Sequence, residues 1–109
     1  MSDLGFKKEE ATNLSKSIDY NSNAIVSKTI IKKETGNITL FSFDEGQQLS
    51  KHTAPFDAVV QILDGEAEII IGETKHLVRT GEMIIMPANI PHVVNAVKHF
   101  KMLLTMIKS

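Results

Sequence analysis

An all-β barrel or sandwich is the architecture this sequence predicts, on three grounds. Short segments rich in Ile, Val, Leu, Phe and Thr follow one another from about residue 24 onward, each the length of a strand. Gly, Asp, Asn or Pro separate them, which supplies turn chemistry. No segment combines the length and the 3.6-residue apolar spacing of an amphipathic helix. Many short strands joined by turns bury their apolar faces against one another, as packed sheets or a closed barrel.

The first 23 residues are polar and weakly patterned, and read as a short, irregular or helical N-terminal extension (1–23) ahead of a single barrel domain (24–109). Glu9, Glu10 and residues 11–14 suggest a turn of helix, and Asn21-Ser22-Asn23 reads as a connection. Strands follow at about 25–33, 37–43, 56–63, 67–71, 75–78, 83–86, 92–97 and 101–107. Asp64-Gly65, between two apolar runs, has the composition of a tight hairpin turn, because Gly accepts the positive φ such turns need. Further turns are expected at residues 34–37, 71–74 and 79–82. In the strand over 37–43, Thr39, Phe41 and Phe43 share one face, with Ile38, Leu40 and Ser42 on the other. A strand apolar on both faces needs a partner on each, and in an all-β protein a second sheet or a second subunit supplies it.

Composition narrows the function. The chain has 109 residues, 42% hydrophobic and 23% charged, which fits one domain with a modest core. Twelve basic and thirteen acidic residues are spread along it, giving a net charge of −1. No basic block is dense enough for a nucleic-acid footprint, and Lys32-Lys33 beside Glu34 reads as a solvated strand end. There is no cysteine, so disulfides, zinc–thiolate sites and thiol nucleophiles are excluded. Residues 1–10 hold no apolar core of signal-peptide length, and no apolar run approaches a membrane span. A cytoplasmic protein without nucleic-acid or membrane partners is the expectation.

The chemistry-bearing candidates are histidines. His76 and His99 lie beside turns and read as exposed or half-exposed surface residues. His52 stands where one strand gives way to Thr53-Ala54-Pro55, and His92 follows the proline-bounded segment 87–91 at the start of another. Met83, Met86, Met102 and Met106 lie in strands expected to be core and read as gap fillers. Lys101 and Lys108 flank the last strand and read as surface residues. Ser42 and Ser50 lie in no nucleophile elbow, and there is no Gly-rich phosphate loop.

Two segments of the chain resemble the paired motifs of the cupins, in particular the small single-domain barrels of the conserved cupin_2, RmlC-like jelly-roll type. Gly46 is followed by five residues and then His52, and the first motif closes at Gly65. Gly81, Pro87 and His92 fall in register with the second, with Asn89 in place of its middle glycine. The resemblance implies a double-stranded β-helix whose site lies inside the barrel. Cupin metal sites typically use two histidines and a glutamate of the first motif and one histidine of the second. Here Ala54 replaces the second histidine and Ala58 the glutamate, and Asn95 sits one residue short of the usual asparagine.

The resemblance therefore implies a half-set of metal ligands, His52 and His92, for a zinc, iron, manganese, nickel or copper ion. A third donor would have to come from Gln47, Gln48, Asp57, Gln61 or Glu66; alternation from Ala58 puts Val60 and Ile62 on its face and Asp57 and Gln61 on the opposite one. The complementary expectation is a ligand pocket formed by His52, Ala54, Ala58, Val60 and His92, with room opened beside two imidazoles. Three functions follow: a small-molecule-binding module, a metal-dependent dioxygenase, isomerase or lyase on a small polar substrate, or a metal-free isomerase with a histidine base. The resemblance also implies a homodimer, in which pairing across a two-fold axis covers the edge of the strand over 25–33.

Overall fold

The computed structural model describes residues 5–108. The first four residues of the expected N-terminal extension, and Ser109 at the end of the expected barrel domain, lie outside the described residues. Eight strands run in chain order: β1 (Ile25–Lys33), β2 (Gly36–Phe43), β3 (Gln48–His52), β4 (Ala58–Ile71), β5 (Thr74–Arg79), β6 (Met83–Met86), β7 (His92–Asn95) and β8 (Phe100–Ile107). Every pairing is antiparallel. One sheet runs β1-β2-β8-β4-β6 and the other β5-β4-β7-β3, so β4 belongs to both. The jelly-roll barrel implied by the two motifs is the fold found.

Between the sheets lies a core of Phe43, Val60, Ile62, Ala67, Ile69, Val94, Phe100 and Met102, each 2% exposed or less. Phe43 and Phe100 are register partners, and their rings stack at 4.5 Å. Alternation along β4 puts Ala58, Val60 and Ile62 inward, while Gln61 stays outside and exposed. Met83 departs from expectation: it points outward and is half exposed, because β6 is the last strand of its sheet and only alternate residues face the core.

The expected hairpin at Asp64-Gly65 is not there. The apolar runs on either side belong to one 14-residue strand, and Asp64-Gly65 lies within it, just past the bulge between Ile62 and Asp64 where the pairing with β8 shifts register. Gly65 takes the positive φ that its sequence context suggests (+81°), but uses it to bend β4 from one sheet into the other. Its carbonyl accepts the Thr80 N–H at 3.0 Å and the Thr80 hydroxyl at 3.1 Å, which keeps the backbone paired through the bend. A Cβ at this position would run into the His99 carbonyl and the Phe100 backbone.

β3 carries no sequence signature: Leu49 is its one large apolar residue, and it is an edge strand held by β7 alone. The turn of helix near the N-terminus is a 3-10 turn at Leu14–Lys16 rather than at residues 9–14, with the Asn13 side chain accepting the Lys16 N–H. Residues beyond it lie along the outer face of the first sheet. The Ser42 hydroxyl donates to the Asp19 carbonyl at 2.8 Å, and the Lys28 ammonium to the Ser17 carbonyl at 2.7 Å. Ile18 and Leu40 are fully buried but stand apart from the core between the sheets. The second partner of the two-faced strand β2 is thus the chain's own N-terminal segment.

Tyr20 completes this docking. Its ring stacks on His99 at 4.0 Å and its hydroxyl donates to Asp64 at 2.6 Å. Burial, and then the hydrogen bond and negative charge of Asp64, hold the phenol well above its usual range, so it stays a donor. Lys101, expected at the surface, is half-buried instead: its ammonium lies 4.9 Å from the Tyr20 ring centroid and donates to the Ser15 carbonyl.

Two glycine substitutions separate backbone strain from steric conflict. Gly81 also has a positive φ (+88°), but open space surrounds it. Gly81→Ala should cost about 1–2 kcal/mol, the left-handed penalty alone. Gly65→Ala should cost more by about 1–3 kcal/mol, because the backbone must also move. Urea denaturation of both variants checks the order; equal losses would mean that β4 accommodates a side chain at its bend.

Candidate functional site

β3 ends and β7 begins at one mouth of the barrel, and their last and first residues, His52 and His92, are register partners. Their rings meet edge to face, with centroids 4.2 Å apart and planes at 72°. His92 is buried (5% exposed), whereas His52 is exposed. The segment 87–91 is clipped to the chain ahead of β4: the Asn89 N–H donates to the Ala54 carbonyl at 2.7 Å, and the Ala88 N–H to the Asp57 carboxylate at 2.8 Å. Asn89 has φ +64°, so the asparagine in the glycine position keeps the left-handed backbone, which Asn tolerates better than most residues.

Below the histidines lies a cavity of about 370 Å³. Four of the residues expected to form a pocket line it: His52, Ala54, Ala58 and His92. Val60 does not; it is fully buried in the core further along β4. The remaining wall is Phe41, Leu49, Phe56, Val94 and Leu104, with Met86, Met102 and Met106. These methionines are more than core filler, since they line the cavity together with the histidines. Met86 and Met106 flank Ala58 in register, which a linear sequence does not reveal. A larger cleft of about 460 Å³ opens on the outside over Gly65. There Glu66 pairs with Arg79 at 3.3 Å, and His99 stacks on Tyr20.

The two histidine rings are joined by a hydrogen bond. His52 Nδ1 faces the Ser50 carbonyl at 2.7 Å, and His92 Nδ1 faces the Ile90 carbonyl at 3.3 Å. The Nε2 atoms face each other at 3.0 Å, so one of them donates and the other accepts, and one hydrogen lies between the rings. Burial, and secondarily the charge of His52, lower the pKa of His92 and outweigh the Ile90 carbonyl, which raises it.

A metal ion would need more donors than the site offers. Gln61 is exposed on the outer face of β4, beside Met83 and Leu103. Asp57 holds the 87–91 segment, Glu66 pairs with Arg79, and the Gln47 backbone pairs with Ala96. Gln48 pairs with Asn95 on the edge strand and does not reach the cavity. Among the described residues, no three His, Cys, Asp or Glu side chains converge. Catalytic zinc sites use three protein ligands, and two imidazoles fall short of holding a resident ion. The donor set does not fit one.

Residues 39–108 match the model of the Cupin_2 family, described as a cupin domain. The chain belongs to the cupin family. Solved structures agree. A conserved protein of unknown function from Streptococcus pyogenes is 36% identical, with a TM-score of 0.92 over 100% of this chain and 96% of that one. A cupin 2 conserved barrel domain protein from Leptotrichia buccalis is 41% identical with a TM-score of 0.86; the match covers 89% of this cupin but 47% of that chain, so this cupin spans about half its length. A cupin superfamily protein from Desulfitobacterium hafniense is 26% identical, with a TM-score of 0.89 and 95% of both chains covered. No curated protein matches this cupin. No helix among its described residues is long and apolar enough to cross a membrane.

The lowered pKa of His92 links the site to stability. An unfolded histidine titrates near 6.5. As pH falls below that value, the unfolded chain takes a proton that folded His92 resists, so this contribution is intact above about pH 6.5 and is lost as pH falls through the folded pKa. Urea midpoints at pH 7.5 and 5.5 should therefore fall further for the native protein than for His92→Gln. A variant that loses as much as the native protein would refute the linkage.

Proposed function

We propose that this cupin binds a small, largely apolar molecule in the cavity around His52 and His92. The observation that carries the reading is the lining: apolar side chains surround two imidazoles and no other polar side chain. Cavities of this volume, mostly apolar with a few convergent polar groups, are the usual form of small-molecule sites. The cysteine-free sequence suits a reducing compartment, and a cytoplasmic location belongs to the same reading.

A metal-dependent enzyme acting on a small polar substrate is the competing reading, favoured by the Nε2 contact and opposed by the missing third donor. Mass spectrometry of untagged protein decides between them. The expected result is well below one metal ion per chain. Stoichiometric iron, manganese, zinc, nickel or copper, lost in both His52→Ala and His92→Ala, would establish the enzyme reading instead.

The cupin is also read here as a homodimer. Register pairs align Ile31, Ile38, Thr105, Val59 and Ile85 in one row across all five strands of the first sheet. Ile31 and Ile85 are about half exposed, as are Met83 and Ile107 nearby. A second copy laid across this row would cover it and shield the β1 edge. Light scattering at micromolar concentration should give the mass of two chains, and Ile85→Glu should shift it toward one. A native monomer rules the dimer out.

A further inference from the structure

We propose that the occupant is an uncharged aromatic compound of about ten non-hydrogen atoms, its ring seated on the Ala58 methyl between Met86 and Met106. This rests on the reading of the cavity as a ligand site and specifies the ligand's class. Met86 and Met106 are the register partners of Ala58 on its two sides, from β6 and β8, and all three line the cavity. Neighbouring strands lie about 4.8 Å apart, so the two methionine side chains leave the sheet about 10 Å from each other. A ring centred over Ala58 then has a methionine at about 5 Å on either side, the separation at which a thioether sulfur meets a ring edge.

The rest of the wall repeats this character. Phe41 and Met102 are register partners that both line the cavity, and Phe56 joins them two residues ahead of Ala58. Aromatic rings pack offset or edge to face against phenylalanine, with a gain beyond the area they bury. A saturated ring of the same size makes neither the sulfur contact nor the ring contact. Burial alone favours the saturated ring, because water solvates it less well than an aromatic face. The two contributions therefore have opposite signs.

Charge and size complete the description. No lysine, arginine, aspartate or glutamate lines the cavity, and a buried ion without a partner is costly. The histidine ring nitrogens already have partners: each Nδ1 faces a backbone carbonyl and each Nε2 the other ring, whichever of the two donates. The lining thus offers thioethers, ring faces and methyl groups. A water-sized group fills about 30 Å³, so about 370 Å³ admits roughly a dozen of them.

Calorimetry on the full chain, with EDTA at neutral pH, compares four probes: 2-phenylethanol, its saturated counterpart 2-cyclohexylethanol, phenylacetate and 2-phenylethylammonium. 2-Phenylethanol should bind and raise the thermal midpoint. 2-Cyclohexylethanol should bind about fivefold more weakly, and the two ions about tenfold more weakly or less tightly still. The double variant Met86→Leu with Met106→Leu keeps the apolar volume and removes both sulfurs. It should stay folded and bring the two alcohols within about twofold of each other. Ala58→Leu, which fills the seat of the ring, should abolish binding. Equal or tighter binding of 2-cyclohexylethanol, or an unchanged preference in the double variant, overturns the aromatic class while the apolar ligand site stands. An ion that binds as tightly as 2-phenylethanol overturns the uncharged class and leaves a site in the cavity. Binding that survives Ala58→Leu, or no binding by any probe, overturns both the proposal and the reading of the cavity as a ligand site.

Discussion

At Gly65 the backbone of β4 passes so close to the His99 carbonyl that a side chain has no room between them. The rest of the barrel hangs on that approach. β4 is hydrogen-bonded to β8 and β6 before the bend and to β5 and β7 after it, so one strand joins two sheets. Ala58 reaches the cavity from the first half of β4, and Ile71, the register partner of His92, lies at the end of the second. The orientation of the second sheet relative to the first, and thus the shape of the space between them, follows from a bend at one residue. Tyr20 braces the same place from outside, through Asp64 and His99.

Two alanines give the site its character. With small side chains at 54 and 58, the volume beside the imidazoles is bounded by methionine and phenylalanine rather than by further metal ligands. The two histidines are then left to satisfy each other. Each is anchored through Nδ1 by a carbonyl two residues earlier, an arrangement that aims both Nε2 atoms at one point. Binding and acid–base chemistry both begin from such a proton-sharing pair, whereas a cation held by the protein alone does not.

Much of this is legible in the sequence, and the rest is hidden for definite reasons. The alternation from Ala58 reveals that Val60 and Ile62 share its face and Gln61 the other, and the spacing of Gly46, His52, Gly81 and His92 reveals the barrel and its mouth. β3 is hidden because one apolar residue in five gives no period. Asp64-Gly65 misleads because the positive φ that makes a hairpin also serves a bend within a strand, and local chemistry does not say whether the chain reverses or bends. The cavity wall is hidden because Phe41, Leu49, Met86 and Met106 come from four strands, brought together by register alone. Lys101 looks like a surface residue until the N-terminal segment, with Tyr20, folds over it.

That segment has a consequence for what counts as the unit of this protein. The stretch that the family model matches begins at residue 39, inside β2. All of β1 and the docked residues from Leu14 to Asn23 lie ahead of it, and they supply the cover for Leu40 and Ser42 and the brace at Asp64. The recognisable motif is therefore smaller than the folded body, and the Streptococcus pyogenes protein, matched over the whole of this chain, shares the longer unit.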